Sequence, residues 1–176
     1  LFRSPKSIEW FDKADASSMS FADKEKYNFQ KGYAYFTTKN NKEAAKYFNM
    51  VVNSKTFGSQ AKYYLGFMSY ETDDYKSANE YFEQVSDQDK YKEKMGYFQA
   101  DMNFKLGNFQ KAIDLGEAQM PKSRADEKSE LSKIIGESYF NLKKYDKALP
   151  YLLDYKGKRG KWNNTDFYQL GYTYYQ

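Results

Sequence analysis

Residues 63–70 read Tyr63-Tyr64-Leu65-Gly66-Phe67-Met68-Ser69-Tyr70, a polar break follows at Asp73-Asp74, and residues 75–82 read Tyr75-Lys76-Ser77-Ala78-Asn79-Glu80-Tyr81-Phe82. Apolar residues recur at helical spacing on both sides of the break, so the stretch predicts helix, short turn, helix. The same pattern returns along the chain. Gly32, Gly66 and Ala100 stand 34 residues apart, as do Ala44, Ala78 and Ala112, while Phe48 and Phe82, and Val51 and Val85, keep the same step. A fourth copy follows at Gly136 and Ala148, each 36 residues on, and a fifth opens at Gly171 after a step of 35. The extra residues fall around Pro121-Lys122-Ser123-Arg124 and Lys156-Gly157-Lys158-Arg159-Gly160, where a surface connection tolerates insertion.

Short polar residues mark the helix starts. Asn40, Asp74, Asn108 and Asp146 are expected to cap the second helix of each copy, and Asn164-Thr165-Asp166 the last helix. Gly or Ala in the first column lets two antiparallel helices approach closely. The aromatic four residues beyond each second-helix Ala is expected to pack into the adjoining copy.

These columns resemble the tetratricopeptide repeat (TPR), whose pattern places Leu-Gly at positions 7 and 8, Tyr at 11, Ala at 20, an aromatic at 24 and Ala at 27. Leu65-Gly66, Ala78 and Phe82 match it, as do Ile135-Gly136, Tyr139 and Ala148, and Leu170-Gly171 with Tyr174. Lys31 departs from it at position 7 of the first copy and Gly116 at position 24 of the third, and no copy has the Pro of position 32. The resemblance implies an all-α fold, a right-handed superhelix or α-solenoid of antiparallel helix-turn-helix units. The expected organisation is one array over 1–176: residues 5–16 as the second helix of a preceding repeat, repeats at 25–58, 59–92, 93–128 and 129–163, and a first helix at 164–176. Ser7, Phe11 and Ala14 support the first of these by repeating the spacing of Ala78, Phe82 and Val85. Both ends then fall inside repeats, which leaves half-repeats able to self-associate.

Composition narrows the chemistry. The 176 residues include 19 Tyr, 14 Phe and 2 Trp but no Cys and no His, which excludes disulfides, Cys nucleophiles and every His-based site. The carboxylate pairs Asp73-Asp74 and Asp87/Asp89 lie where turns and caps call for Asp, with no nucleophile beside them. The glycines are dispersed along helices and form no phosphate loop. No catalytic residue, metal or cofactor is expected. The 28 basic and 24 acidic residues leave +4, with both signs interleaved, and the basic run 156–161 beside Trp162 reads as a solvated loop. Nucleic-acid binding is therefore not expected. No apolar run is long enough to span a membrane, and Leu1-Phe2-Arg3-Ser4-Pro5 is not a signal peptide.

In the TPR family the first helices line the concave wall. On a helical wheel positions 7, 8 and 11 form one stripe, committed to packing, and positions 5, 9 and 12 form another roughly 115° away. The second stripe consists of Phe29, Tyr33 and Phe36; Tyr63, Phe67 and Tyr70; Tyr97, Asp101 and Phe104; Lys133, Glu137 and Phe140; and Tyr168, Tyr172 and Tyr175. Rings fill all of these positions except Asp101, Lys133 and Glu137, which are expected to be solvated, the alternative being that they fix the register of a charged ligand. The stripe is expected to be a groove that grips a peptide segment or helix of a protein partner, the rings supplying apolar area and phenol hydrogen bonds. Two alternatives stand beside it: the rings could seal the seams between first helices, or stack on a glycan or peptidoglycan. The carboxylate clamp of chaperone-tail receptors is missing, since Phe29, Tyr33 and Phe67 occupy its Lys and Asn positions. The Tyr-, Lys- and Asn-rich style is similar to long multi-repeat TPR proteins of Bacteroidetes-type bacteria. That likeness implies a bacterial scaffold, periplasmic or outer-membrane-associated, in cell-envelope assembly.

Overall fold

The computed structural model describes residues 5–86, 89–158 and 160–176; residues 5 and 89–94 are described in their backbone alone. Asp87 and the side chain of Asp89 therefore lie outside the described residues, as does Arg159. The chain is all-α and divides into two compact units, residues 1–85 and 86–176. The first unit holds α1 (Pro5–Lys13), α2 (Phe21–Thr37), α3 (Asn41–Asn49), α4 (Gly58–Glu71) and α5 (Tyr75–Glu83). The second holds α6 (Asp89–Lys105), α7 (Phe109–Gln119), α8 (Ala125–Asn141), α9 (Tyr145–Asp154) and α10 (Asn164–Tyr175). Within each unit consecutive helices pack as neighbours, and α8 also touches α6 and α10.

The turn inside each helical pair is one motif used four times. Lys39, Asp73, Gly107 and Lys143 adopt φ of 63°, 61°, 77° and 58°. The following residue donates its backbone N–H five residues back: Asn40 to Tyr35 (3.0 Å), Asp74 to Ser69 (2.9 Å), Asn108 to Asn103 (2.8 Å) and Lys144 to Tyr139 (2.9 Å). The left-handed residue itself donates three back, as Lys39 does to Phe36 at 3.1 Å. This pairing is the Schellman closure of a helix C-terminus. Its last residue is also the N-cap of the next helix, so one short segment ends one helix and starts another.

Caps confirm part of the expectation and correct part. Asn40 accepts from the Glu43 N–H at 3.3 Å and Asp74 from that of Ser77 at 3.2 Å. Asn108 stands at the N-cap, but its amide donates to Asn103 Oδ1 at 3.3 Å and caps nothing. Asp146 lies within the first turn of α9 and Lys144 takes the N-cap place, because the Schellman turn closes one residue before the acid. At α10 the cap is Asn163, one residue earlier than expected, in a capping box with Asp166.

Glycine is needed where the helices cross. A Cβ on Gly32 would stand 3.0 Å from the Phe48 ring, and one on Gly66 would stand 2.7 Å from that of Phe82. The position-24 aromatic thus sits on the glycine of its own repeat as well as packing into the neighbour. Phe48 also reaches the neighbour, stacking on Tyr64 at 5.2 Å. In the third copy small and large residues are exchanged. Ala100 takes the first-helix place, Gly116 the second-helix place, and Ile135 of α8 fills the space, within 2.8 Å of where a Gly116 Cβ would be.

α1 is fastened to α2 by polar contacts. The Tyr27 hydroxyl donates to the Phe11 carbonyl (2.9 Å), and Lys31 reaches Asp12 (2.7 Å) and Tyr27 Oη (2.9 Å). Lys31 occupies the place of the family's apolar position 7 and is buried there. Burial opposes its charge, but hydrogen bonds to Asp12, Tyr27 and Tyr47 outweigh it and raise the ammonium pKa above the ordinary lysine value.

Candidate partner-binding face

In the first unit all six stripe rings are half-buried, and four of them, Phe29, Tyr33, Phe36 and Tyr63, meet a residue outside the stripe, Tyr64. Tyr64 contacts Phe36 (4.9 Å between centroids), Tyr33 (5.4 Å) and Phe29 (6.3 Å) while stacking on Phe48. Phe29 lies flat on Phe57 at 4.9 Å, which makes it chiefly a packing residue. Tyr33 and Phe36 lie 6.5 Å apart, and Phe36 meets Phe67 of α4 edge-on at 6.0 Å, so the rings continue from one first helix to the next. Tyr63 leans on Phe82 (6.1 Å), and burial pushes its phenol pKa up. Tyr70 packs edge-on against Tyr75 at 5.8 Å.

The second unit keeps the geometry and changes the chemistry. Tyr97 packs onto the Ala100, Leu131 and Ile134 cluster; burial, then the negative charges of Asp101, Glu130 and Glu127, push its phenol pKa up. Asp101 is 8% exposed and Glu137 7%, so the expectation that they are solvated is corrected. Asp101 pairs with Lys105 at 3.0 Å. Lys133 bridges to Asp166 of α10 at 2.7 Å and to Glu137 at 3.8 Å, with its ammonium 4.9 Å from the Tyr155 ring. Burial raises the Glu137 pKa, and Asp166 adds to this against the pull of Lys133. For Lys133 burial works the other way, and Asp166 and Glu137 hold its pKa above the usual value. The charges were solvated in expectation because the sequence places them among rings but does not show that α10 brings Asp166 to meet them.

The remaining stripe rings of this unit are more open toward the C-terminal side. Phe104 packs on Phe109 (5.9 Å), and Phe140 meets Tyr145 (5.6 Å) and Tyr172 (5.7 Å). Tyr172 lies 5.9 Å from Tyr168, and Tyr168 and Tyr175 are exposed. The α2 stripe thus meets α4 through rings, and the α8 stripe meets α10 through the Lys133–Asp166 pair and the Phe140–Tyr172 contact, whereas Tyr63 and Tyr70 of α4 turn to α5. Tyr64, Asp166 and Tyr155 were absent from the expected site. A position-6 aromatic between the two stripes was the available signal for Tyr64, and Asp166 looked like a cap alone.

No protein-family profile matches the sequence, and no curated protein matches it. Solved structures do. A MamA mutant aligns with a TM-score of 0.73 over 92% of this chain and 87% of its own, at 15% identity. MamA AMB-1 in two crystal forms aligns with TM-scores of 0.71 and 0.68, each over 86% of both chains and at 15% identity. The fold is a TPR-like helical repeat. At this identity the likeness concerns the fold. Among the described residues of this TPR-like chain, no helix is long and apolar enough to cross a membrane, and no group of three or more carboxylates could hold a metal ion.

Proposed function

We propose that the protein is a non-catalytic scaffold for protein–protein contacts, whose first-helix stripe binds a peptide segment or helix of a partner. The observation that carries this reading is the run Tyr33, Phe36 and Phe67, which crosses from α2 to α4 and keeps part of each ring at the surface. Packing alone would be served by Leu. Half-exposed rings add a flat apolar face, and Tyr33 a phenol, at the cost of ordering only two torsions each. Tyr33 and Phe36 lie at 29° to one another, but Phe36 and Phe67 lie at 78°, so the three rings form no continuous coplanar platform for a glycan and suit a peptide better. The similarity in style to envelope-associated arrays makes the cell envelope the compartment in which to seek the partner.

A displayed random-peptide library panned against the chain tests the reading. With benzoylphenylalanine replacing Phe67, selected peptides cross-link on irradiation, and with the same group at exposed Met50 they do not. Cross-linking at Met50 alone would place the partner elsewhere.

A further inference from the structure

The run Lys156-Gly157-Lys158-Arg159-Gly160-Lys161 holds four basic residues and no acidic one. Its +4 equals the net charge of the whole chain, 28 − 24, so the remaining residues balance to zero. Arg159 lies outside the described residues, and the three lysines carry the structural case. They do not sit on a loose connection. Gly157 and Gly160 have φ of 82° and 75°; the Gly160 N–H donates to Gly157 O and the Lys161 N–H to Lys158 O, both at 3.1 Å. Lys158 and Lys161 form an antiparallel bridge. A Cβ on Gly157 would stand 2.5 Å from the Lys161 carbonyl carbon and 2.6 Å from the Trp162 ring, so both conformation and space demand glycine.

The base of this hairpin is clamped. Tyr155 is buried and stacks with Trp162 at 17°, and the Trp162 indole N–H donates to Tyr155 O at 3.0 Å. The Lys156 N–H donates to Ser129 Oγ at 2.9 Å, and the Asn163/Asp166 capping box fixes the far side. Lys156, Lys158 and Lys161 are exposed, and among the described residues none enters an ion pair. The acids nearest in sequence are engaged elsewhere: Asp154 accepts from Ser132 Oγ at 2.8 Å, and Asp166 holds Lys133. The described part of the run thus holds three exposed lysines, on a base fixed from both sides, with no ion-pair partner among the described residues.

We infer that this hairpin is a docking point for a short acidic segment of a protein partner, two or three Asp or Glu carboxylates within a few residues. The inference rests on the scaffold reading above and names chemistry that the partner carries. A nucleic acid fits less well, because backbone tracking needs a basic stripe and the rest of the chain is neutral. A bilayer also fits less well. Trp162, the aromatic beside the basic run, is turned inward, stacking on Tyr155 and donating its indole N–H to Tyr155 O.

Fluorescence anisotropy with a labelled hexaglutamate peptide tests this at low and physiological salt. The wild-type chain binds, more weakly as salt rises. Lys156→Ser, Lys158→Ser and Lys161→Ser together weaken binding about tenfold, the scale of three exposed ion pairs combined. Gly157→Ala keeps every charge but cannot keep the hairpin; it weakens binding too, while helical circular dichroism persists and Trp162 fluorescence reports the lost clamp. Equal binding by the triple variant overturns the proposal, as does undiminished binding by Gly157→Ala with its clamp lost. Preference for oligo-dT or for phosphatidylglycerol vesicles over the peptide also overturns it. The stripe variant Tyr33→Ala with Phe67→Ala keeps its affinity for hexaglutamate, so failure of the hairpin and failure of the ring stripe are read separately.

Discussion

Single residues decide how the seams close. Tyr64 is the hub of the first unit, in contact with Phe29, Tyr33, Phe36 and Phe48, whereas Phe67 meets the cluster at its edge through Phe36. Tyr64 is half-buried but central, so Tyr64→Ala should cost about 2–3 kcal/mol, at or below the lower end for a fully buried aromatic truncated to Ala, and Phe67→Ala clearly less, as measured by urea unfolding. Glu137 bears on pH. A carboxyl whose folded pKa is raised above the unfolded value of about 4.3 stabilises the fold fully below that value and loses this contribution as pH rises through the folded pKa. Wild type should hold its best advantage over Glu137→Gln near pH 4, and the difference should shrink or reverse by pH 7 in parallel urea titrations. At Lys31 the family's apolar choice is testable. Lys31→Leu should change stability by less than about 1 kcal/mol, because a buried ion pair contributes little net, while Asp12→Ala should cost more by stranding the buried ammonium.

The helical pair is where the sequence is most legible. The columns at positions 8, 20 and 24 report contacts made inside one pair, such as Gly66 under Phe82, and a contact made in every copy leaves a period in the chain. The exchange at Ala100 and Gly116 hides from such columns, since its compensation comes from Ile135 in the next pair. Turns are legible for a different reason. The Schellman closure needs a left-handed residue, and Gly107 announces one, but Lys39, Asp73 and Lys143 take the same conformation without a glycine. Lys143→Gly should relieve that strain by about 1 kcal/mol. Lys144→Asp should add a similar amount by supplying the side-chain cap that α9 lacks. Both gains are measurable as higher urea midpoints with an unchanged slope. Gly66→Ala should lose about 1–3 kcal/mol by driving a methyl into Phe82.

At the scale of the molecule, the repeat fold could be read from the sequence, and the chemistry along the stripe only in part. Alternation of ring and charge along positions 5, 9 and 12 is visible in the chain. Which charges are neutralised is not, because Lys133 finds Asp166 only when α10 lies beside α8. The basic run 156–161 was equally visible, yet the contacts that hold its base, from Tyr155, Ser129 and the α10 cap, converge only in the folded unit.

The central claim is that a partner engages the half-exposed rings that run from α2 to α4. Its most direct measurement is calorimetric titration of a library-selected peptide into wild type, into Tyr33→Ala with Phe67→Ala, and into Met50→Ser as a control. With circular dichroism showing each variant folded, the double variant should bind at least about tenfold more weakly, the scale of losing buried aromatic contacts at an interface, and the control should bind as wild type does. Equal affinity in the folded double variant would contradict the account.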